Sequence, residues 1–224
     1  MSQNISMLNL FTKVIIGFII YGTLFFIPAG TFNWPKAWVF LTLAFIYVIG
    51  VILYFMNKDP TLLQSRSNIK PEKGFDTLFM AATGLAFFSM FLITALTVRF
   101  QWPKIPLIFE VVGFIVIVLA FIIIFLVMRE NSYASKRIEV QEGQKVISTG
   151  PYAYIRHPMY VGFIFMSLGF PIALGSLLAL PSGILAIILM AIRAYYEEKT
   201  LINELDGYKE YMHKVRYRLI PRIW

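Results

Sequence analysis

Arg156-His157-Pro158-Met159-Tyr160-Val161-Gly162 opens an apolar run that is interrupted at Gly169-Phe170-Pro171, Gly175 and Pro181-Ser182-Gly183, and ends in Arg193-Ala194-Tyr195-Tyr196-Glu197-Glu198. Glycine and proline in the middle of an apolar segment break a helix and favour a turn. The stretch from approximately Met159 to Tyr196 therefore reads as a helical hairpin. Its arms come to roughly 12–17 residues, short of the roughly 20 that a bilayer-crossing helix needs. The expectation is a tight pair packed into a bundle, steep or incompletely crossing. Closing the hairpin returns Arg193 and Glu197 to the end where His157 and Tyr160 lie. Polar groups beside lipid are costly to keep, so this convergence marks a site rather than a scaffold.

The rest of the chain supplies the bundle. Its 224 residues are 58% hydrophobic and 14% charged, against about 25% charged in soluble domains. Four segments are long and apolar enough to span: approximately Leu10 to Ala29, Ala37 to Met56, Leu78 to Val98 and Leu107 to Met128. The first lacks the basic leader and small-residue cleavage site of a signal peptide. The fold class is all-α: a polytopic transmembrane bundle of four spans, followed by the hairpin and an interfacial amphipathic tail. Composition shifts near Met128, giving a four-span region over 1–128 and a candidate cofactor-binding and catalytic region over 129–224.

The formal net charge of +8 fits membrane topology better than a nucleic-acid surface, because Lys and Arg gather in cytoplasmic loops. Lys58, Arg66, Lys70 and Lys73 fall in one loop. Arg129, Lys136, Arg137, Lys145 and Arg156 fall in the next, and Lys199, Lys209, Lys214, Arg216, Arg218 and Arg222 in the tail. The intervening loops hold only Lys36, and Arg99 with Lys104. An integral, multi-pass protein with both termini cytoplasmic places all three basic regions on one side. In the tail, Tyr208, Tyr211, Met212 and Val215 recur at helical spacing among basic residues, the pattern of interfacial anchors.

Several chemistries are excluded. With no cysteine there is no disulfide, thiolate nucleophile or thiolate metal site. Two histidines, His157 and His213, without a carboxylate cluster argue against a metal. No pair among the 14 glycines is spaced G-x-G, so neither a dinucleotide fingerprint nor a P-loop is present. What remains is the hairpin's mouth. Pro158 suits the first turn of a helix, which places His157 at an N-terminus whose free N–H groups suit a carboxylate or phosphate. Tyr160 can stack on a purine or face a cation, and Gly162 admits a ligand or a neighbouring helix. Arg193 and Glu197, spaced i, i+4, share a helix face. Interfacial anchoring of His157 and Tyr160, and an intrahelical salt bridge between Arg193 and Glu197, are the purely structural alternatives.

Gly150-Pro151-Tyr152, Arg156-His157-Pro158-x-Tyr160-x-Gly162, Arg193-x-x-x-Glu197-Glu198, Tyr208-x-x-Tyr211 and Arg218-Leu219-Ile220-Pro221 together resemble the isoprenylcysteine carboxyl methyltransferase family. The resemblance covers approximately Gln141 to Trp224. It implies a membrane enzyme that takes a methyl group from S-adenosylmethionine and passes it to the carboxylate of a lipophilic or prenylated acceptor in the bilayer, without metal or nucleic acid. Carried over by position, the cofactor would touch Gln144, Lys145, Val146, Ile147, Tyr152, His157, Pro158, Met159, Tyr160 and Glu197. Arg193 would hold the acceptor carboxylate, making Arg193 and Glu197 the catalytic pair. Family members with a longer glutamate run than Glu197-Glu198 leave the acceptor open. Phospholipid amines, with Glu197 or Glu198 as base, and small thiols are alternatives, although the amine enzymes resemble a G-x-G pattern absent here. A sterol-reductase-like enzyme using NADPH shares Arg-His-Pro-x-Tyr-x-Gly, but often has an acid where this chain has Phe163. A non-enzymatic membrane protein would explain the spans and not the converging motifs.

Overall fold

The computed structural model describes residues 7–67, 75–133, 140 and 143–224. Lys70, Lys73, Lys136 and Arg137 of the basic loops lie outside them. Among the described residues the chain is all-helical: α1 (Met7–Ala29), α2 (Pro35–Lys58), a short α3 (Pro60–Ser67), α4 (Phe75–Arg99), α5 (Leu107–Glu130), α6 (Pro158–Ala173), α7 (Leu180–Glu204) and α8 (Tyr208–Lys214). Single 3-10 turns precede α6 at Gly150–Ala153 and α7 at Leu177–Ala179. Five helices are long and apolar enough to cross a membrane: the four expected and α7. Their outward faces carry exposed Ile19, Ile46, Leu85, Ile115 and Ile188, a lipid-facing belt rather than a soluble surface. This is a multi-pass membrane protein.

The hairpin differs from expectation in its second arm. The first arm, α6, has 16 residues, but α7 has 25. Pro181 and Gly183 sit in the first turn of α7 rather than in the connection. Proline is tolerated there because its missing N–H would be unpaired anyway. The reversal is made at Gly175, in a left-handed conformation (φ +80°) that glycine adopts at little cost. Pro171, inside α6, is fully buried.

Short α6 is held in the bundle by close approach of backbones. A Cβ at Gly113 of α5 would lie 2.3 Å from the Ala173 amide nitrogen, one at Gly162 would lie 2.5 Å from Ile124 Cγ1, and one at Gly169 would meet Val116 and the Gly113 carbonyl. On α6's other side, Gly183 of α7 leaves only 2.3 Å to the Ser167 carbonyl oxygen. Small residues at such crossings replace the hydrophobic drive that lipid cannot supply between helices. Phe170 then interlocks with Phe25, Phe40 and Phe91 of α1, α2 and α4. Gly162 thus serves helix packing.

Polar contacts define two faces. On one, Lys36 pairs with buried Glu110 beside Gly175, and Thr97 and Ser176 share a hydrogen bond of 2.7 Å, so the hairpin turn is tied to α2, α4 and α5. On the other lie the start of α6, the ends of α5 and α7, α3 and the tail. The aromatics expected as lipid anchors are not at a lipid surface. Tyr208 and Tyr211 are buried against Leu205, Val215, Val140 and Val146, because the tail folds back over the protein instead of lying beside it.

Replacing Gly113 with alanine is expected to overpack the α5–α6 crossing and cost about 1–3 kcal/mol, lowering the unfolding midpoint in detergent. Gly17→Ala, where an added Cβ meets nothing within 4 Å, is expected to leave that midpoint unchanged; equal midpoints for both would contradict the close crossing.

Candidate active site

The site is built at the mouth of the hairpin, in two polar chains that meet at neighbouring residues of α7. Adjacent positions on a helix point about 100° apart at 3.6 residues per turn, so Glu197 and Glu198 serve different partners.

The first chain centres on Glu198, fully buried. Arg156 Nε donates to its Oε1 at 2.5 Å, and Arg218 Nε donates to its Oε2 at 2.6 Å. Two guanidinium groups on one buried carboxylate give each oxygen a charged donor, the condition under which a buried charge is tolerated. Arg156 also donates through Nη1 to the carbonyls of Val215 and Arg216, at 2.9 and 2.7 Å. Backbone pairs continue the attachment: the Arg156 amide donates to Tyr217 O and the His157 amide to Arg218 O, both at 3.0 Å. The Arg218 guanidinium is sandwiched between the rings of Tyr195 and Trp224. The tail is thereby threaded across the entry to α6.

The second chain runs Asp76–Arg193–Tyr160–Glu197. Arg193 of α7 donates from Nε to Asp76 Oδ1 at 2.9 Å and from Nη2 to Oδ2 at 3.4 Å, and from Nη1 to the Tyr160 hydroxyl at 2.7 Å. That hydroxyl donates to Glu197 Oε2 at 2.5 Å. Arg193 and Glu197 are thus joined through Tyr160, and the α7 pair is not merely a solvated intrahelical bridge. Arg193 and Tyr160 are both buried.

Beside these chains, His157 is buried, its ring 5.7 Å from that of Tyr160, and its Nε2 has no hydrogen-bond partner among the described residues. Nε2 lies 3.9 Å from Glu198 Oε1, beyond hydrogen-bond length. Tyr208 Oη is likewise buried and has no hydrogen bond among the described residues. Burial first, then the charges of Glu198 and Glu197, push the Tyr208 phenol well above its ordinary range, so it keeps its proton and remains a donor. Buried polar atoms are ordinarily satisfied. Two such atoms near Glu198 suit a polar ligand.

The remaining expected residues divide. Tyr152 belongs to the mouth: its hydroxyl accepts from Asn131 Nδ2 at 2.8 Å, and its carbonyl accepts from the Tyr211 hydroxyl at 2.7 Å. Val146 packs on the tail, against the cluster of Tyr208 and Tyr211, with Gln144 and Ile147 part-buried in the same loop and Lys145 exposed. Pro158 is buried in the first turn of α6. Met159 packs against the cluster of Phe55, Leu62 and Met128, away from the Arg193 chain. Phe163 packs with Tyr160, Met190 and Ala194.

Sequence reasoning did not foresee Asp76, or that Arg156, Glu198 and Arg218 form one buried triad. The triad had a signal, since all three stand within the quoted motifs. Asp76 had none: an acid in the first turn of a helix is an ordinary partner of the helix dipole.

The whole is an apolar membrane bundle with a buried polar mouth at one face. Residues 111–203, which run from α5 to the end of α7, match the sequence model of the isoprenylcysteine carboxyl methyltransferase family. A search of curated proteins returns no match. Among the described residues no group of His, Cys, Asp and Glu is placed to hold a metal.

Glu198→Ala is expected to strand two arginines in a buried setting. Removing one partner of such a cluster costs about 3–5 kcal/mol. The check is the unfolding midpoint together with limited proteolysis of the tail, which should become faster in the variant; a wild-type pattern in both would mean that the tail is held elsewhere.

Proposed function

We propose that the protein transfers a methyl group from S-adenosylmethionine to the carboxylate of a lipophilic acceptor such as an isoprenylcysteine. The observation that carries this reading is the buried, unpartnered His157 Nε2 next to the Arg193–Tyr160–Glu197 chain. It combines an unfilled polar position with a cation suited to a carboxylate.

The methyl donor, when bound, supplies an electrophilic methyl group on a positively charged sulfur. His157 and Tyr208 offer it polar atoms, Tyr152 and the Gln144–Ile147 loop close the water side, and Glu197 provides negative charge. A carboxylate nucleophile needs no general base; it needs positioning, which a guanidinium fork gives. Arg193 holds it, and Tyr160 keeps Arg193 and Glu197 in register. Charge on both reactants disappears as the methyl moves, so a mouth shielded by the tail favours the step over bulk water. The neutral ester has no ionic contact with Arg193, which aids release into lipid. On the site face lie Arg129, Lys145, Lys199, Lys209 and Lys214, and on the opposite face Lys36, Arg99 and Lys104. By the positive-inside tendency the site face is cytoplasmic, and both termini with it.

Glu197, held by a single described hydrogen bond from Tyr160, is also a candidate base. That favours a lipid amine as the second acceptor class. A screen of prenylcysteine, lipid amine and thiol acceptors with the purified protein separates the classes.

Arg193→Ala is expected to abolish turnover while sparing S-adenosylhomocysteine binding, read by calorimetry; normal turnover would sink the assignment of Arg193. His157→Ala is expected to weaken S-adenosylhomocysteine binding by at least about tenfold, the equivalent of about 1.4 kcal/mol, and unchanged affinity would remove His157 from the cofactor site. Binding of NADPH instead of S-adenosylhomocysteine would move the protein to the reductase class.

A further inference from the structure

We propose that Asp76 is a positioning residue for Arg193: from the first turn of α4 its carboxylate fixes the plane of the guanidinium that meets the acceptor. The inference rests on the acceptor role of Arg193 proposed above and adds a residue outside 111–203, the part of the chain that carries the family match.

The two side chains are brought together from 117 positions apart. Both are largely withdrawn from solvent, with 9% of the Arg193 side chain and 15% of the Asp76 side chain exposed. The contact is two-point, from Nε and Nη2 to the two carboxylate oxygens, while Nη1 reaches the Tyr160 hydroxyl. The hydrogen bond to the phenol sets one point of the planar group. Two further bonds from a different helix define the plane. Arginine is a long side chain carrying about 2 kcal/mol of rotamer entropy, and bidentate recognition of a carboxylate depends on the orientation of its fork.

Asp76 also decides what Arg193 does not do. Glu197 lies one helical turn beyond it, at the spacing where opposite charges pair along a helix. Without Asp76, the fork loses its pull towards α4 and turns from the acceptor, while Glu197 keeps its bond from the Tyr160 hydroxyl. With Asp76 in place, Arg193 is drawn towards α4, and the Tyr160 hydroxyl fills the interval to Glu197. The position suits an ionised acid, since the first turn of α4 offers unpaired N–H groups and the positive end of the helix dipole. Because the Asp76–Arg193 pair is neutral, an acceptor carboxylate is recognised by the geometry of the fork more than by net positive charge.

The test uses the full chain in detergent, with a prenylcysteine carboxylate as acceptor and S-adenosylhomocysteine as the cofactor probe. Asp76→Asn, which keeps shape and removes charge, is expected to raise the acceptor KM at least tenfold and to lower kcat, while S-adenosylhomocysteine affinity stays at its wild-type value and the unfolding midpoint falls because a largely buried cation loses its charged partner. Asp76→Glu is expected to recover part of the acceptor KM, and it carries the test should the asparagine variant fail to fold: an acceptor KM for Asp76→Glu equal to wild type, despite the longer side chain, overturns the proposal. An unchanged acceptor KM in Asp76→Asn overturns it as well. A lowered KM also overturns it, because Asp76 would then be competing with the acceptor for Arg193 instead of aiming it. If the wild-type protein binds S-adenosylhomocysteine yet methylates no carboxylate acceptor, the acceptor reading itself has failed and the proposal falls with it.

Discussion

The buried carboxylate of Glu198, shared between Arg156 and Arg218, is the constraint on which the mouth of this protein depends. It joins three parts of the chain that are otherwise independent: the entry to α6, the end of α7 and the tail. A carboxylate at 2% exposure is tolerable only if its partners stay in place, because the desolvation cost is borne whether or not the pairing is complete. The tail therefore has one low-energy position. Its carbonyls at Val215, Arg216, Tyr217 and Arg218 receive the donors of Arg156 and His157. His157 is oriented by this attachment, and its Nε2 has no hydrogen bond among the described residues.

The second constraint is steric. Helix α6 is too short to reach across a bilayer, so its ends cannot be placed by the two water interfaces as those of the longer helices are. Gly113, Gly162, Gly169 and Gly183 remove the side chains that would hold its neighbours off, and backbone contact fixes its depth and rotation. The ring cluster around Phe170 and the polar pins at Ser176 and Glu110 complete the seat. Tyr160, one turn into α6, then reaches Arg193 and Glu197 because the α6–α7 crossing at Gly183 is narrow. Site geometry at one face is thus set by packing in the middle and at the other face.

The two glutamates at the end of α7 divide the work. Glu198 is spent on structure, with both oxygens occupied by arginine donors. Glu197 is less buried and is joined to Arg193 by a single phenol. The chain from Asp76 through Arg193 and Tyr160 to Glu197 crosses three helices and alternates acid, base, hydroxyl and acid. Each member is held by its neighbours, which is how a polar group keeps one orientation beside lipid.

The amino-acid sequence by itself determined the membrane class, the four long spans, the hairpin and the convergence of His157, Tyr160, Arg193 and Glu197. Those follow from hydrophobic length and from glycine, proline and charge placed in an apolar background, all of which are local signals. The length of α7 was misjudged because Pro181 and Gly183 are equally at home in a turn and in the first turn of a helix, and only the packing on Ser167 separates the two. The tail tyrosines show the same limit, since amphipathic spacing describes a buried face as well as a lipid-facing one. Asp76 and the sharing of Glu198 were decided by tertiary structure alone. They are contacts between residues 117 and 20–42 positions apart, and which charges meet depends on how the helices rotate and cross, which a one-dimensional pattern does not contain.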